Sequence, residues 1–199
     1  GNPVRRDVFA VGGQKRGFDR RHLLIVGGSL GAHALNKFMV EMLPVLKKAG
    51  VSIRHQTGVR DEPVVKEAYA RAGYDPSCVT AFINDMPGAY SWADLVLCRA
   101  GASTVAELCG AGVPSILVPY PYAAGDHQTG NARALEQAGA AVLFQEKSLS
   151  ASFLGGTITG LFGEPDRLAM MSRAALGLAR CDAASRVADQ IEAVAVKRQ

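Results

Sequence analysis

Leu23-Leu24-Ile25-Val26-Gly27-Gly28-Ser29-Leu30-Gly31-Ala32 is the stretch that decides the fold of this chain. Four apolar residues in a row, with no polar alternation, mark a strand covered on both faces, as in a parallel sheet. Behind the glycine turn, Leu35, Phe38, Met39 and Met42 keep helical spacing, so the chain passes directly from strand to helix. Pro44 is expected to kink or end that helix. Glycines in such a turn let the backbone approach a phosphate. Tight packing of strand against helix explains them equally well.

The same alternation repeats downstream. Apolar strands are expected at Val51 to His55, Val79 to Phe82, Leu95 to Cys98, Ser115 to Val118 and Ala140 to Phe144. Helical segments fall at Glu62 to Arg71, Pro87 to Trp92, Thr104 to Ala111 and Gln128 to Ala138. Strand, crossover helix and strand in succession imply right-handed crossovers and an α/β, doubly wound, Rossmann-like parallel sheet. Its ligands belong at the carboxyl ends of the strands. From Ser150 onward the pattern is helical, with Gly155-Gly156 interrupting the first helix. Gly1-Asn2-Pro3-Val4-Arg5 reads as an interdomain connector, and the chain as a piece of something longer. The expected layout is a connector over 1–8, the Rossmann-like domain over 9–182 and a terminal helix over 183–199.

Composition narrows the function classes. The 199 residues suffice for one domain with a sizeable core, and 48% hydrophobic content with 22 glycines suits α/β architecture. A net charge of +4 favours anionic partners, but it is too small and too scattered for nucleic acid. Cys78, Cys98, Cys109 and Cys181 lack the paired spacing of zinc or disulfide sites and are expected to be structural thiols. No apolar run approaches the ~18 residues of a membrane-spanning helix.

Candidate chemistry concentrates between Arg99 and Asn131. The expected Leu95 to Cys98 strand enters the turn Arg99-Ala100-Gly101-Ala102, and a helix is expected to open at Ser103 and Thr104. Unpaired amides and the positive end of a helix dipole then face whatever docks there, and phosphate is the usual guest. Glu107, one turn in, is placed to reach a ribose diol, or else is a solvated helix residue. After the next strand and the loop Pro119 to Gly125, Asp126 is a candidate helix cap. His127 and Gln128 are placed to bind a sugar hydroxyl or phosphate, and His127 can equally be a surface residue. His55-Gln56-Thr57-Gly58 lines the cleft or simply ends a strand in a turn with a capping threonine. Phe82-Ile83-Asn84-Asp85-Met86 offers backbone to a flat base, or forms an Asx turn that starts the Pro87 helix. A nicotinamide site wants a carboxylate at the end of the second strand. Here none precedes Asp61, so a dehydrogenase is disfavoured.

Taken in order, Gly1 to Arg5, Gly27 to Ala32, His55 to Gly58, Phe82 to Met86, Arg99 to Glu107 and His127-Gln128 with Asn131 resemble the C-terminal half of the MurG family. These are the bacterial peptidoglycan N-acetylglucosaminyltransferases. The resemblance implies one half of a GT-B glycosyltransferase, binding the donor UDP-N-acetylglucosamine. It implies an inverting transfer that makes a β-1,4 bond, with neither cofactor nor metal. The acceptor, undecaprenyl-diphospho-muramyl-pentapeptide, the general base and docking on the cytoplasmic membrane face would belong to an N-terminal half. Carried over by residue, Glu107 would hold the ribose hydroxyls and the Ile83 backbone would pair with uracil. Ser29 and Ala102-Ser103-Thr104 would cradle the diphosphate. Gln128, with His127 and Asn131, would read the sugar, away from the uridine, and Arg5 would approach the donor from the connector. Leu30 and His127 stand where some members carry glutamine. The competing readings are a glycolipid synthase using another UDP-sugar, a UDP-sugar epimerase, and a non-catalytic donor-binding subunit recruited to a membrane partner.

Overall fold

The computed structural model describes residues 1–14, 17–28 and 31–196. Among them, six strands form one all-parallel sheet: β1 (His22–Val26), β2 (Ser52–Gln56), β3 (Val79–Thr80), β4 (Leu95–Cys98), β5 (Ser115–Leu117) and β6 (Ala141–Leu143). Their spatial order is β3-β2-β1-β4-β5-β6, so the winding reverses between β1 and β4. The register pairs Val26 with both Gln56 and Cys98, and Leu117 with both Cys98 and Leu143. All six strands therefore end at one level, at Val26, Gln56, Thr80, Cys98, Leu117 and Leu143.

The continuous apolar strands are explained by burial on both faces. Leu23, Ile25, Leu95 and Leu97 point into one core, with α2 (His33–Lys48), α3 (Glu62–Arg71) and α7 (Ala151–Phe162). Leu24, Val96 and Cys98 point into the other, with α1 (Arg6–Gly12), α4 (Met86–Trp92), α5 (Ala102–Ala111) and α6 (His127–Gln137). The α8 helix (Pro165–Gly177) spans both, giving Leu168 and Met171 to the first core and Ala175 to the second. The chain closes with α9 (Ala183–Val196). Cys98 and Cys109 are free thiols, pushed up by burial to about 12 and about 11, and so unreactive.

Several expectations need correction. α1 begins at Arg6, inside the stretch read as connector, because Val8 and Val11 bury against α4 and α5. Pro44 neither ends nor breaks α2. The proline sits on the exposed side, while Met42, Leu43 and Leu46 anchor the helix around it in the core. Packing thus overrides a local penalty of about 3 kcal/mol. α7 likewise runs through Gly155-Gly156, held by buried Leu154, Ile158, Leu161 and Phe162, with Gly155 against Met42 of α2. Strands β3, β5 and β6 are shorter than the apolar runs that marked them.

Candidate functional site

A cleft of about 630 Å³ opens at the carboxyl ends of β1, β2, β4 and β5, where the winding reverses. One wall is the glycine turn. Gly28 and Gly31 have φ of +81° and +75°, and a Cβ on Gly31 would lie 2.4 Å from the Thr57 carbonyl oxygen, so only glycine fits there. Ser29, expected at the diphosphate, lies outside the described residues. The opposite wall is the start of α5, one residue earlier than expected, at Ala102. Gly101 is its N-cap and supplies no side-chain cap, and Gly101 and Thr104 line the cleft. The first amides of α5 are thereby left without intrahelical partners.

Side chains fix both walls. Gln56 clamps the Gly28 peptide from both sides: its Oε1 accepts from Gly28 N–H and its Nε2 donates to Gly28 C=O, each at 3.0 Å. The same Nε2 donates to Ala81 C=O at 2.8 Å, tying the turn to the loop that leaves β3. Across the cleft, Gln128 Oε1 accepts from Ala100 N–H and from Tyr120 N–H. Asn131 Nδ2 donates to Ala100 C=O at 3.0 Å. The residue just before the α5 N-cap is therefore held at both its polar groups by α6.

Arg99 braces the strand ends. Its Nη1 donates to the carbonyls of Val118 and Pro119, its guanidinium lies 5.6 Å from the Tyr120 ring centre, and its Nη2 is 2.5 Å from Glu146 Oε2. This ion pair is largely shielded from water, with the two side chains 14% and 21% exposed. Arg99, Tyr120 and Glu146 all line the cleft.

A buried polar chain runs to the rim beyond the glycine turn. Asn36 Nδ2 donates to Thr57 C=O and Asp61 Oδ2, which turns its Oδ1 toward His55 Nε2 at 3.0 Å. His55 therefore carries its proton on Nε2 and accepts at Nδ1 from the Tyr69 hydroxyl. Burial holds the His55 ring down to about 3, against a smaller opposing pull from Asp61. Burial alone would raise Asp61, but hydrogen bonds from Asn36 and His33 hold it below the usual carboxylate range. His33 and Asp61 meet at 2.8 Å on the cleft wall.

Of the expected site residues, this cleft brings together Thr104 and Gln128. Ile83 lines a separate hollow of about 500 Å³ with Phe82, Arg54 and Trp92. Ala102, Ser103, Glu107, His127 and Asn131 line neither. Glu107 is half-buried and accepts a hydrogen bond from Tyr90. His127 is exposed and donates from Nδ1 to Ala124 C=O. Arg5 stands at the start of α1, paired with Asp7. Asp126 does not cap α6: it has φ +52° and accepts from the Thr129 hydroxyl. Asp85 does cap α4, accepting from Gly88 N–H. In the His55 to Gly58 segment only Thr57 lines the cleft, and α3 has no side-chain cap.

Arg99, Tyr120, Glu146, His33 and Asp61 were missed as site residues. The signal for Arg99 was its place just ahead of the small-residue turn. Asn36, a lone amide in the apolar stripe between Leu35 and Met39, signalled the buried chain. Among the described residues no cluster of three His, Cys, Asp or Glu side chains is placed to hold a metal ion, and no helix is long and apolar enough to cross a membrane.

The glycosyltransferase family 28 C-terminal domain matches residues 22–192, which spans every strand and both walls of the cleft. The chain belongs to this family. The family 28 domain is 48% identical over 192 residues to the UDP-N-acetylglucosamine--N-acetylmuramyl-(pentapeptide) pyrophosphoryl-undecaprenol N-acetylglucosamine transferase of Nitratidesulfovibrio vulgaris strain DP4, covering 95% of this chain and 53% of the relative. The identically named protein of Lawsonia intracellularis is 48% identical over 194 residues, covering 96% and 53%. The crystal structure of Acinetobacter baumannii MurG superposes with a TM-score of 0.77 at 38% identity, covering 93% of this chain and 52% of that one. The chain thus spans about half the length of the relatives it matches.

Proposed function

We propose that this family 28 domain binds the nucleotide-sugar donor of an inverting N-acetylglucosaminyltransferase, UDP-N-acetylglucosamine. The observation that carries the reading is the α5 N-terminus without a side-chain cap, facing the glycine turn across the switch-point cleft. Amides so oriented suit a diphosphate and stabilise the negative charge that develops as UDP departs. On this reading the amides of Ala102, Ser103 and Thr104, together with Ser29, hold the diphosphate. Glu107 takes the ribose hydroxyls and the Ile83 backbone takes uracil. Gln128 Nε2 reads the sugar, because Gln128 Oε1 is already occupied by two amides. Asn131 and His127 assist Gln128 at the sugar, and Arg5 approaches from the chain entry.

The lipid-linked muramyl-pentapeptide acceptor, the general base and a peripheral seat on the cytoplasmic membrane face are proposed to belong to the half of the relatives that this chain does not span. Transfer then joins the acceptor hydroxyl to the anomeric carbon with inversion, releases UDP and passes the hydroxyl proton to that base. Calorimetry of the chain with UDP, UDP-N-acetylglucosamine and NAD tests the donor reading. Binding of both uridine nucleotides without NAD is expected, and equal binding of NAD sinks it.

A further inference from the structure

Tyr90 is fully buried on α4, and its hydroxyl donates to Glu107 Oε2 at 2.9 Å. The two residues come from elements that have no reason to meet locally. α4 begins directly after the loop carrying Ile83, and α5 carries both Glu107 and the cleft amides. The bond therefore links the segment assigned to the base with the segment assigned to ribose and diphosphate. Burial, reinforced by the Glu107 carboxylate, pushes the Tyr90 phenol well above its ordinary value, so it remains a donor across the working pH range.

An unrestrained glutamate on a helix surface rotates freely about its terminal torsion, and both oxygens are then equivalent acceptors. One oxygen held by a rigid buried phenol fixes the carboxylate plane and leaves the other to accept. We propose that Tyr90 is a positioning residue for the nucleoside: it locks Glu107 so that Oε1 faces the ribose diol, in register with the base loop. This rests on the assignment of Glu107 to the ribose made above.

The test is calorimetry of the chain with UDP and with 2′,3′-dideoxy-UDP, using Tyr90→Phe, Glu107→Gln and the double variant. Tyr90→Phe keeps the ring and should weaken UDP about tenfold while moving the dideoxy nucleotide less than about twofold, as for a charge-assisted hydrogen bond made only to hydroxyls. In Glu107→Gln, Tyr90 should capture the amide oxygen and turn the NH2 toward the diol, so UDP falls further and the dideoxy nucleotide again does not. Removing the phenol as well frees that amide to rotate, and the double variant should recover part of the UDP affinity. Equal weakening of both nucleotides by Tyr90→Phe, unchanged UDP affinity, or a double variant worse than either single overturns the inference. The Glu107→Gln arm leaves the buried ring untouched, so it decides the matter even if Tyr90→Phe unfolds: UDP affinity retained there overturns the inference. A Glu107→Gln loss shared equally by the two nucleotides removes Glu107 from the ribose, and both the assignment and the inference then fall. A selective Glu107→Gln with an unselective Tyr90→Phe removes the inference alone.

Discussion

Gln128 Oε1 accepts two backbone hydrogen bonds, from Ala100 N–H at 3.2 Å and Tyr120 N–H at 2.9 Å. This side chain, expected to read a sugar far from the uridine, also holds the residue before the α5 N-cap. Gln128→Ala should therefore lower affinity for UDP as well as discrimination between N-acetylglucosamine and N-acetylgalactosamine donors. Two amides lose their partner, and a cost of about 1–3 kcal/mol in UDP binding is expected. Calorimetry with UDP alone checks it; unchanged affinity would show that the turn holds itself.

Gln56 satisfies three backbone groups at once, at Gly28 N–H, Gly28 C=O and Ala81 C=O. Gln56→Leu conserves bulk at this buried position but orphans the Gly28 N–H, whereas Gly28 C=O still accepts from Gly31 N–H and Ala81 C=O from Gly58 N–H. A loss of about 1–3 kcal/mol in urea unfolding is the expected result, and a change below about 0.5 kcal/mol would mean that water replaces the amide.

Gly31→Ala should abolish nucleotide binding and destabilise the chain by about 1–3 kcal/mol, since it adds a Cβ both at positive φ and against the Thr57 carbonyl. Thermal melts with and without UDP separate the two effects.

The buried His55 makes stability depend on pH. Its folded value of about 3 lies below the ordinary histidine value of 6.5, so the unfolded chain binds the proton more readily. Its cost is absent above pH 6.5 and grows as pH falls from there to about 3, with a slope approaching about 1.4 kcal/mol per pH unit. Asp61, held below its ordinary value, adds a loss in the same direction once pH falls below 3.8. Denaturant unfolding between pH 7 and pH 4 should show this slope, and His55→Gln should flatten it.

Much of the fold was legible because each strand buries both faces. An uninterrupted apolar run then suffices, and Leu95–Cys98 and Glu62–Arg71 have the bounds that their sequence suggests. Pro44 and Gly155-Gly156 misled for one reason: local propensity is blind to the core residues that pin a helix on either side of a defect. The glycine turn and the Gly101 to Thr104 turn were visible as motifs, because backbone chemistry at a turn leaves a compositional trace. The braces were not. His33 with Asp61 and Arg99 with Glu146 join loops from different strands, and only the sheet order makes them neighbours. Gln128 shows the remaining difficulty, since a sequence reveals that an amide is present and not which of its two ends is taken.

The Arg99–Glu146 brace has a consequence for how ionic strength should act on ligand binding. Arg99 is engaged by a carboxylate and two carbonyls, and the cleft lining balances Arg99 and Arg60 with Glu146 and Asp61. Attraction for an anion then comes from oriented amides at short range rather than from a cationic field. A Debye length of about 8 Å at physiological ionic strength screens distant charges far more than dipoles in contact with the ligand. UDP affinity should thus change little between dilute buffer and molar salt. A lysine-lined phosphate site would lose much of its affinity over the same range, so a domain of this build can hold an anionic donor even where salt is high.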